Sequence, residues 1–243
     1  MTPDQDLIKQ VRAALATEPR ARATQFPLQI EWQDGKLLLE GEAASVQARK
    51  VSLRLARKLA GPAEVDDRLG VQPGEARTDG EILDAFGKRL LAQSELSTCT
   101  FRYRNKGRTE VLHEYGGEYP SGDLEISVNE GFITASGAVL SLSHMRLVEV
   151  LAWWTPGCRG VENRLDIVPP EEDDDNEISD AVRLVLESDP LVQAGTIVAS
   201  TVDGAVTLTG TARNAEEAER AEFDTWCIPG VEDVINQLVV ASN

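Results

Sequence analysis

Histidine and cysteine are scarce in this chain, and no long apolar run interrupts it. Its 243 residues include 2 His, 3 Cys and 2 Met, and only 5% are aromatic. His113 and His144 stand in no recognisable nucleophile or metal pattern, so catalytic residues and bound metal are both expected to be none. His144 reads better as a satisfied, half-buried histidine. Cys99, Cys158 and Cys227 lack metal-ligand spacing and are odd in number, which reads as reduced structural thiols. No glycine loop is followed by the Lys-Ser/Thr that grips a nucleotide phosphate, and no cofactor is expected. No stretch reaches the roughly eighteen apolar residues of a membrane span. The opening MTPDQDLIKQVRAAL lacks the charged-then-apolar order of a secretion signal. Both absences point to the cytoplasm.

Basic residues are also unevenly distributed. The net charge is −17, but residues 1–73 carry 11 Lys/Arg against 10 Asp/Glu, for +1. Residues 74–170 carry 10 against 14, and residues 171–243 carry 3 against 17, for −4 and −14. An end this acidic disfavours nucleic acid, which is not expected as a partner. The run PPEEDDDNE (169–177) reads as a solvated linker that places acid at a helix N-terminus. It is no EF-hand, since DDDNEISDAVRL lacks the turn glycine and the terminal glutamate.

What the chain does have is repetition. WQDGKLLLEG (32–41), VNEGFITASG (128–137) and VDGAVTLTG (202–210) place glycines six apart, at Gly35/Gly41, Gly131/Gly137 and Gly204/Gly210. Asp-Gly is the dipeptide of a tight hairpin whose turn residues take positive φ. A third glycine follows twenty residues later in each copy, at Gly61, Gly157 and Gly230. Beyond it come Val65/Asp67/Leu69/Val71, Val161/Asn163/Leu165/Ile167 and Val234/Asn236/Leu238/Val240, the period of a closing strand. Upstream, Leu7/Val11/Leu15, Ile82/Phe86/Leu90 and Ile178/Val182/Leu186 have helical spacing. The chain is an internal triplicate. Each copy reads helix–strand–strand–helix–strand over roughly 70 residues, an ordinary size for a small domain.

This order of elements, with DP (189–190), VDGAVTLTG and PGVEDVINQLVV (229–240) in the third copy, resembles the BON domain, named for bacterial osmotic-stress and nodulation proteins. The second copy keeps GVENRLDIV (160–168) but has Glu130 in place of the turn aspartate. The first departs most, with KLLLEG and AGPAEVDDRLGV (60–71). The resemblance implies an α+β fold of three tandem units, each with two helices packed on a small mixed sheet. The expected boundaries are unit 1 at 1–73, unit 2 at 77–168 with an insertion at about 97–122, an acidic linker at 169–175, and unit 3 at 176–243. The matching positions are structural glycines and core residues, which speak to fold and only weakly to function.

Three regions where the copies disagree are candidate sites. In SVQARKVSLRLARKLAG (45–61), Ala48, Val51, Leu55 and Leu59 share one helical face. Arg49, Lys50, Arg54 and Arg57 lie on the other, around Val46 and Leu53. Such a face is first of all the pattern of a solvated charged face, and it also suits an anionic phospholipid surface or an acidic protein. Thirteen and sixteen residues after the second glycine, unit 1 has Arg54/Arg57, unit 2 Val150/Trp153 and unit 3 Phe223/Trp226. These aromatic pairs either pack in the core or form an interface between units or between chains, where arginine stacks well on tryptophan.

The third region is the insertion. Gly41 to Gly137 spans 96 residues and Gly137 to Gly210 spans 73, so unit 2 holds 23 extra. Alternation in TCTFRYR and RTEVLHEY around Asn105-Lys106-Gly107 predicts an added hairpin. It carries Arg102, Tyr103, Arg104, Lys106, Arg108, His113 and Tyr115, serving either as a binding loop or as a shield for a sheet edge. The resemblance implies a non-enzymatic interaction protein for phospholipid, envelope-associated or stress-related assemblies, acting through unit 1 and this insertion. A protein responsive to a monovalent or divalent cation such as potassium, and a self-associating structural protein, stand as alternatives.

Overall fold

The computed structural model of the chain describes residues 3–105 and 107–241. It forms two compact bodies, Met1–Gln72 and Pro73–Asn243. The first body is one copy of the repeat: α1 (Pro3–Thr17), β1 (Gln29–Gln33), β2 (Lys36–Ala43), α2 (Val46–Ala60) and β3 (Val65–Val71). β1 and β2 are an antiparallel hairpin, and β3 lies parallel to β2. A parallel neighbour needs a crossover, which α2 supplies. The Ser45 side chain caps α2 by accepting from the Ala48 amide, and Gly61 ends it at φ 59.

The second body holds the other two copies. One comprises α3 (Asp79–Leu91), β4 (Cys99–Asn105), β5 (Arg108–His113), β6 (Gly122–Asn129), β7 (Phe132–Val139), α4 (Leu142–Trp153) and β8 (Gly160–Ile167). Its sheet has the order β5-β4-β6-β7-β8. The other comprises α5 (Asp175–Ser188), β9 (Ile197–Val202), β10 (Ala205–Ala212), α6 (Ala215–Trp226) and a closing strand in two pieces, β11 (Asp233–Asn236) and β12 (Val239–Val240). Both pieces run parallel to β10, and β9 flanks it antiparallel.

The repeated glycines serve as the backbone requires. The turn pairs Asp34-Gly35, Glu130-Gly131 and Asp203-Gly204 all have positive φ at both residues, the mirror-image turn that matches strand twist. In the second body each turn is also clamped by the first residue of a helix. Asp79 accepts from the Glu130 and Gly131 amides, and Asp175 from those of Asp203 and Gly204, at 2.8–3.0 Å. In units 2 and 3 the second glycine of the pair also permits close strand approach. A Cβ on Gly137 or Gly210 would lie 2.1 Å from the carbonyl oxygen of Asp123 or Thr196.

A further device ties the crossover helix to the closing strand. The Asn163 side chain donates to the Met145 carbonyl and to Glu149, and accepts from the Leu165 amide. Asn236 repeats this with Ala218, Glu222 and Leu238. Unit 1 has Asp67 at that position, and a carboxylate has no proton to donate. Arg49, at the place of Met145 and Ala218, supplies the missing donors. Its guanidinium bonds Asp67 at 2.5 Å and the Leu69 carbonyl at 3.0 Å, while Asp67 still accepts from the Leu69 amide.

Candidate functional site

The crossover helix of unit 1 differs from its expected form in three ways. Arg49 is committed to the lock on β3, so it does not belong to an available basic face. Val46 and Leu53, expected outside, are 2% and 3% exposed, whereas Leu59, expected inside, is 36% exposed. The reason is that α1 and the short 3-10 turn Pro19–Ala21 pack against α2, which places one flank of α2 under protein. Arg54 lies within electrostatic reach of Glu18 at that turn, and Glu18 is held below its usual range chiefly by the Arg20 side chain. Lys50 and Arg54 are half-buried. The exposed basic end of α2 is Arg57-Lys58-Leu59, and Lys58 lies outside the set that helical spacing singles out.

The insertion is a β-hairpin that extends the sheet of unit 2. β4 pairs in parallel with β6, and β5 becomes the new edge. Cys99 and Phe101 enter the core at 0% and 1% exposure. Leu112, displaced by a bulge, sits over Gly87 of α3, where a Cβ would meet it at 2.8 Å. On the opposite face Arg102 pairs with Asp123, and Arg104 with Glu125 at 2.8 Å. The Tyr103 hydroxyl donates to Glu110 at 2.8 Å. Arg102 and Arg104 thus meet carboxylates of β6, and their charge is answered within the sheet. Arg108 is exposed, while Lys106 lies outside the described residues. His113 faces Phe101 with ring centroids 6.3 Å apart, and the Tyr115 amide donates to Thr100.

The aromatic positions are internal. Val150, Trp153 and Trp226 are 0%, 8% and 1% exposed, and Phe223 is half-buried. Pairing of chains through Trp153 and Trp226 is therefore excluded by their burial within this chain. An arginine–tryptophan contact does exist at the junction of units 2 and 3, but between other residues. The Arg220 guanidinium lies 5.2 Å from the Trp154 ring and 5.3 Å from that of Phe223. Its Nε is 2.5 Å from Asp189 and 3.3 Å from Asp224. Asp189 ends the helix in the DP motif and is 2% exposed, and Asp224 is 0% exposed. Burial pushes the Asp224 carboxyl up to about 8 against the pull of Arg220. Burial also raises Asp189, but the Leu191 amide and Arg220 more than offset it, and its carboxyl lies below the usual range. Arg89 is drawn down by burial and by the nearby charge of Arg220. These groups line or underlie a cleft of about 640 Å³ between the ends of α3, α4 and α5.

The acidic linker is likewise structured. Glu171 accepts from the Leu142 amide at the start of α4, and Asp174 caps α5. Asp173 lies 2.5 Å from Arg146, whose Nε donates to the Pro229 carbonyl. Arg146 is wholly buried. A sequence signal existed for it, since it interrupts the apolar ladder Leu142/Val150 at helical spacing. His144 is satisfied by Ser141 at 2.6 Å and the Glu95 carbonyl at 3.1 Å. The three cysteines are buried, and burial lifts Cys99 to about 11 and Cys158 to about 12, far from a reactive thiolate. Among the described residues no group of three or more His, Cys, Asp or Glu is placed to hold a metal ion, and no helix is long and apolar enough to cross a membrane.

The sequence model of the BON domain matches residues 3–73, 109–169 and 174–242. No curated protein matches the chain. Among solved structures, the C-terminal domain of CdsD, titled the structural protein of the type III secretion system of Chlamydia trachomatis, is similar at 16% identity and a TM-score of 0.25, over 98% of each chain. A second CdsD structure is similar at 16% identity and 0.25, over 97% of this chain and 92% of that one. At such TM-scores neither bears on the fold.

Proposed function

The chain belongs to the BON domain family, in three tandem copies, and from that premise we propose a non-catalytic attachment protein whose first unit docks on anionic phospholipid. BON domains are binding modules, and the first copy is the one whose charge suits an anionic surface. The observation that carries the reading is the end of α2, where Arg57 and Lys58 are exposed beside Leu59. Cationic heads with apolar stems beside an exposed leucine match the boundary between lipid headgroups and acyl chains. Each basic group near such a surface is worth about 1 kcal/mol, within a Debye length of roughly 8 Å. With Lys50 and Arg54 contributing from the same helix, attachment is weak and reversible. The hairpin of unit 2 supports this reading only as a stabiliser of its sheet, since Arg102 and Arg104 are already paired. No observation favours the cation-responsive alternative over this one.

Co-sedimentation of the full chain with vesicles of phosphatidylcholine alone, or containing phosphatidylserine, tests it. Binding is expected only with the anionic lipid and is expected to weaken with salt. Arg57→Glu with Lys58→Glu should lower it at least tenfold, about two charge reversals' worth. Equal sedimentation with neutral vesicles, or none with anionic vesicles at low salt, would refute the reading.

A further inference from the structure

The first strand of the repeated hairpin is β1 in unit 1, β6 in unit 2 and β9 in unit 3, and it forms the sheet edge wherever nothing is added outside it. Such an edge presents unpaired amides and carbonyls to any extended chain, and soluble proteins guard it with charge, proline or a covering element. β1 reads QIEWQ and carries Glu31. The edge of β6 is covered by β4, and the new outer strand, β5, reads RTEVLH and is charged. β9 reads IVASTV, with no charge and no proline. Among the described residues it pairs only with β10. Val198 and Val202 on it are 63% and 66% exposed, and their neighbours across β10 on that face, Thr209 and Ala205, are also uncharged.

We propose that β9 is a docking edge that accepts an extended segment of a partner protein, rich in β-branched residues and flanked by basic ones. The chain contains its own precedent, because β4 adds in parallel to β6, the counterpart of β9. Main-chain hydrogen bonds supply most of the affinity in strand addition, and cross-strand side chains supply the preference. Beside Val198 and Val202, β-branched residues pair best. Charge selects the flanks and the kind of partner. Residues 171–243 carry 3 Lys/Arg against 17 Asp/Glu, a net −14, and α5, which packs on β9, bears Asp175, Glu177, Asp180 and Glu187. The same excess opposes a second copy, since two units of this charge repel. In unit 2, Gly87 of α3 seats Leu112 of the second added strand. Counting from the matched clamps Asp79 and Asp175, unit 3 has Arg183 at that place, so β9 has room for one strand rather than a hairpin.

The experiment uses the full chain and a short peptide of alternating threonine and valine, with either lysine or glutamate flanks. Hydrogen–deuterium exchange should show protection of β9 with the lysine-flanked peptide. Affinity should fall at least tenfold with glutamate flanks and fall similarly for Val198→Lys with Val202→Lys. Val111→Lys on the guarded edge β5 should leave binding unchanged, and both variants should retain the wild-type circular dichroism. Protection absent from β9, or equal binding of both peptides, overturns the proposal. A concentration-dependent dimer that the β9 variant dissolves overturns it in favour of a second copy. Lipid attachment through α2 is measured separately, so either result can fail alone.

Discussion

Replacing Asp224 by asparagine should flatten the pH dependence of stability in the second body. Asp224 is fully buried on α6, beneath the Arg220 guanidinium and beside Asp189 and Trp154, with Arg89 across the cleft. Burial raises its carboxyl to about 8, whereas an unfolded aspartate titrates near 3.9. Between those values the unfolded chain has released a proton that the folded chain retains. Stability therefore falls as pH rises, by about 1.4 kcal/mol per unit from this group alone. From about pH 5.5 to about pH 7.5 that amounts to roughly 3 kcal/mol. Asparagine keeps the shape and a donor for Asp189 but has no proton to lose. The other titrating groups are present in both proteins, so the difference between the two slopes reports Asp224 together with its coupling to Asp189. Urea denaturation followed by tryptophan fluorescence measures it, with Trp153, Trp154 and Trp226 reporting on the second body and Trp32 on the first. The variant should overtake the wild type toward neutral pH. Parallel stability curves for the two proteins would refute the reasoning.

Two other outcomes follow from the repeats. Arg49→Met should destabilise the first body by about 1–3 kcal/mol by stranding Asp67. Adding Asp67→Asn should recover part of the loss by restoring the carbonyl and amide bonds of the lock, since Leu53 stands where units 2 and 3 have Glu149 and Glu222. Denaturant melts of the single and double variants, read at Trp32, check this. Gly137→Ala or Gly210→Ala should abolish cooperative folding of the second body by circular dichroism, since each Cβ meets a carbonyl oxygen at 2.1 Å. Gly41→Ala should be milder, because its nearest neighbour is a Leu28 methyl at 3.5 Å and only the positive φ is strained.

Much of the fold was legible because its signals are local. A turn that needs positive φ selects Asp-Gly, a parallel crossover needs a helix between strands, and both recur at fixed spacing. The added hairpin was equally readable from alternation around Asn105-Lys106-Gly107. The candidate sites were less so. Helical spacing alone assigned Arg49 to a basic face, and it gave no sign that α1 and the Pro19–Ala21 turn pack on α2 or that Val46 and Leu53 are buried. It also grouped Arg102 and Arg104 without the carboxylates of β6, which lie more than twenty residues along the chain.

Taken alone, the sequence determined three copies of one unit, the order of elements in each, and the gradient of charge toward the C-terminal end. These are properties of neighbouring residues and of composition. Only the tertiary structure decided which charges are already met. Arg49 answers Asp67, Arg146 bridges Asp173 and Pro229, and Arg220 lies between Asp189 and Trp154. A charge takes its role from the groups folded around it, and those pairings join segments far apart in the chain. The unguarded edge of β9 belongs to the same class of fact, since a strand becomes an edge only when the sheet around it has been assembled.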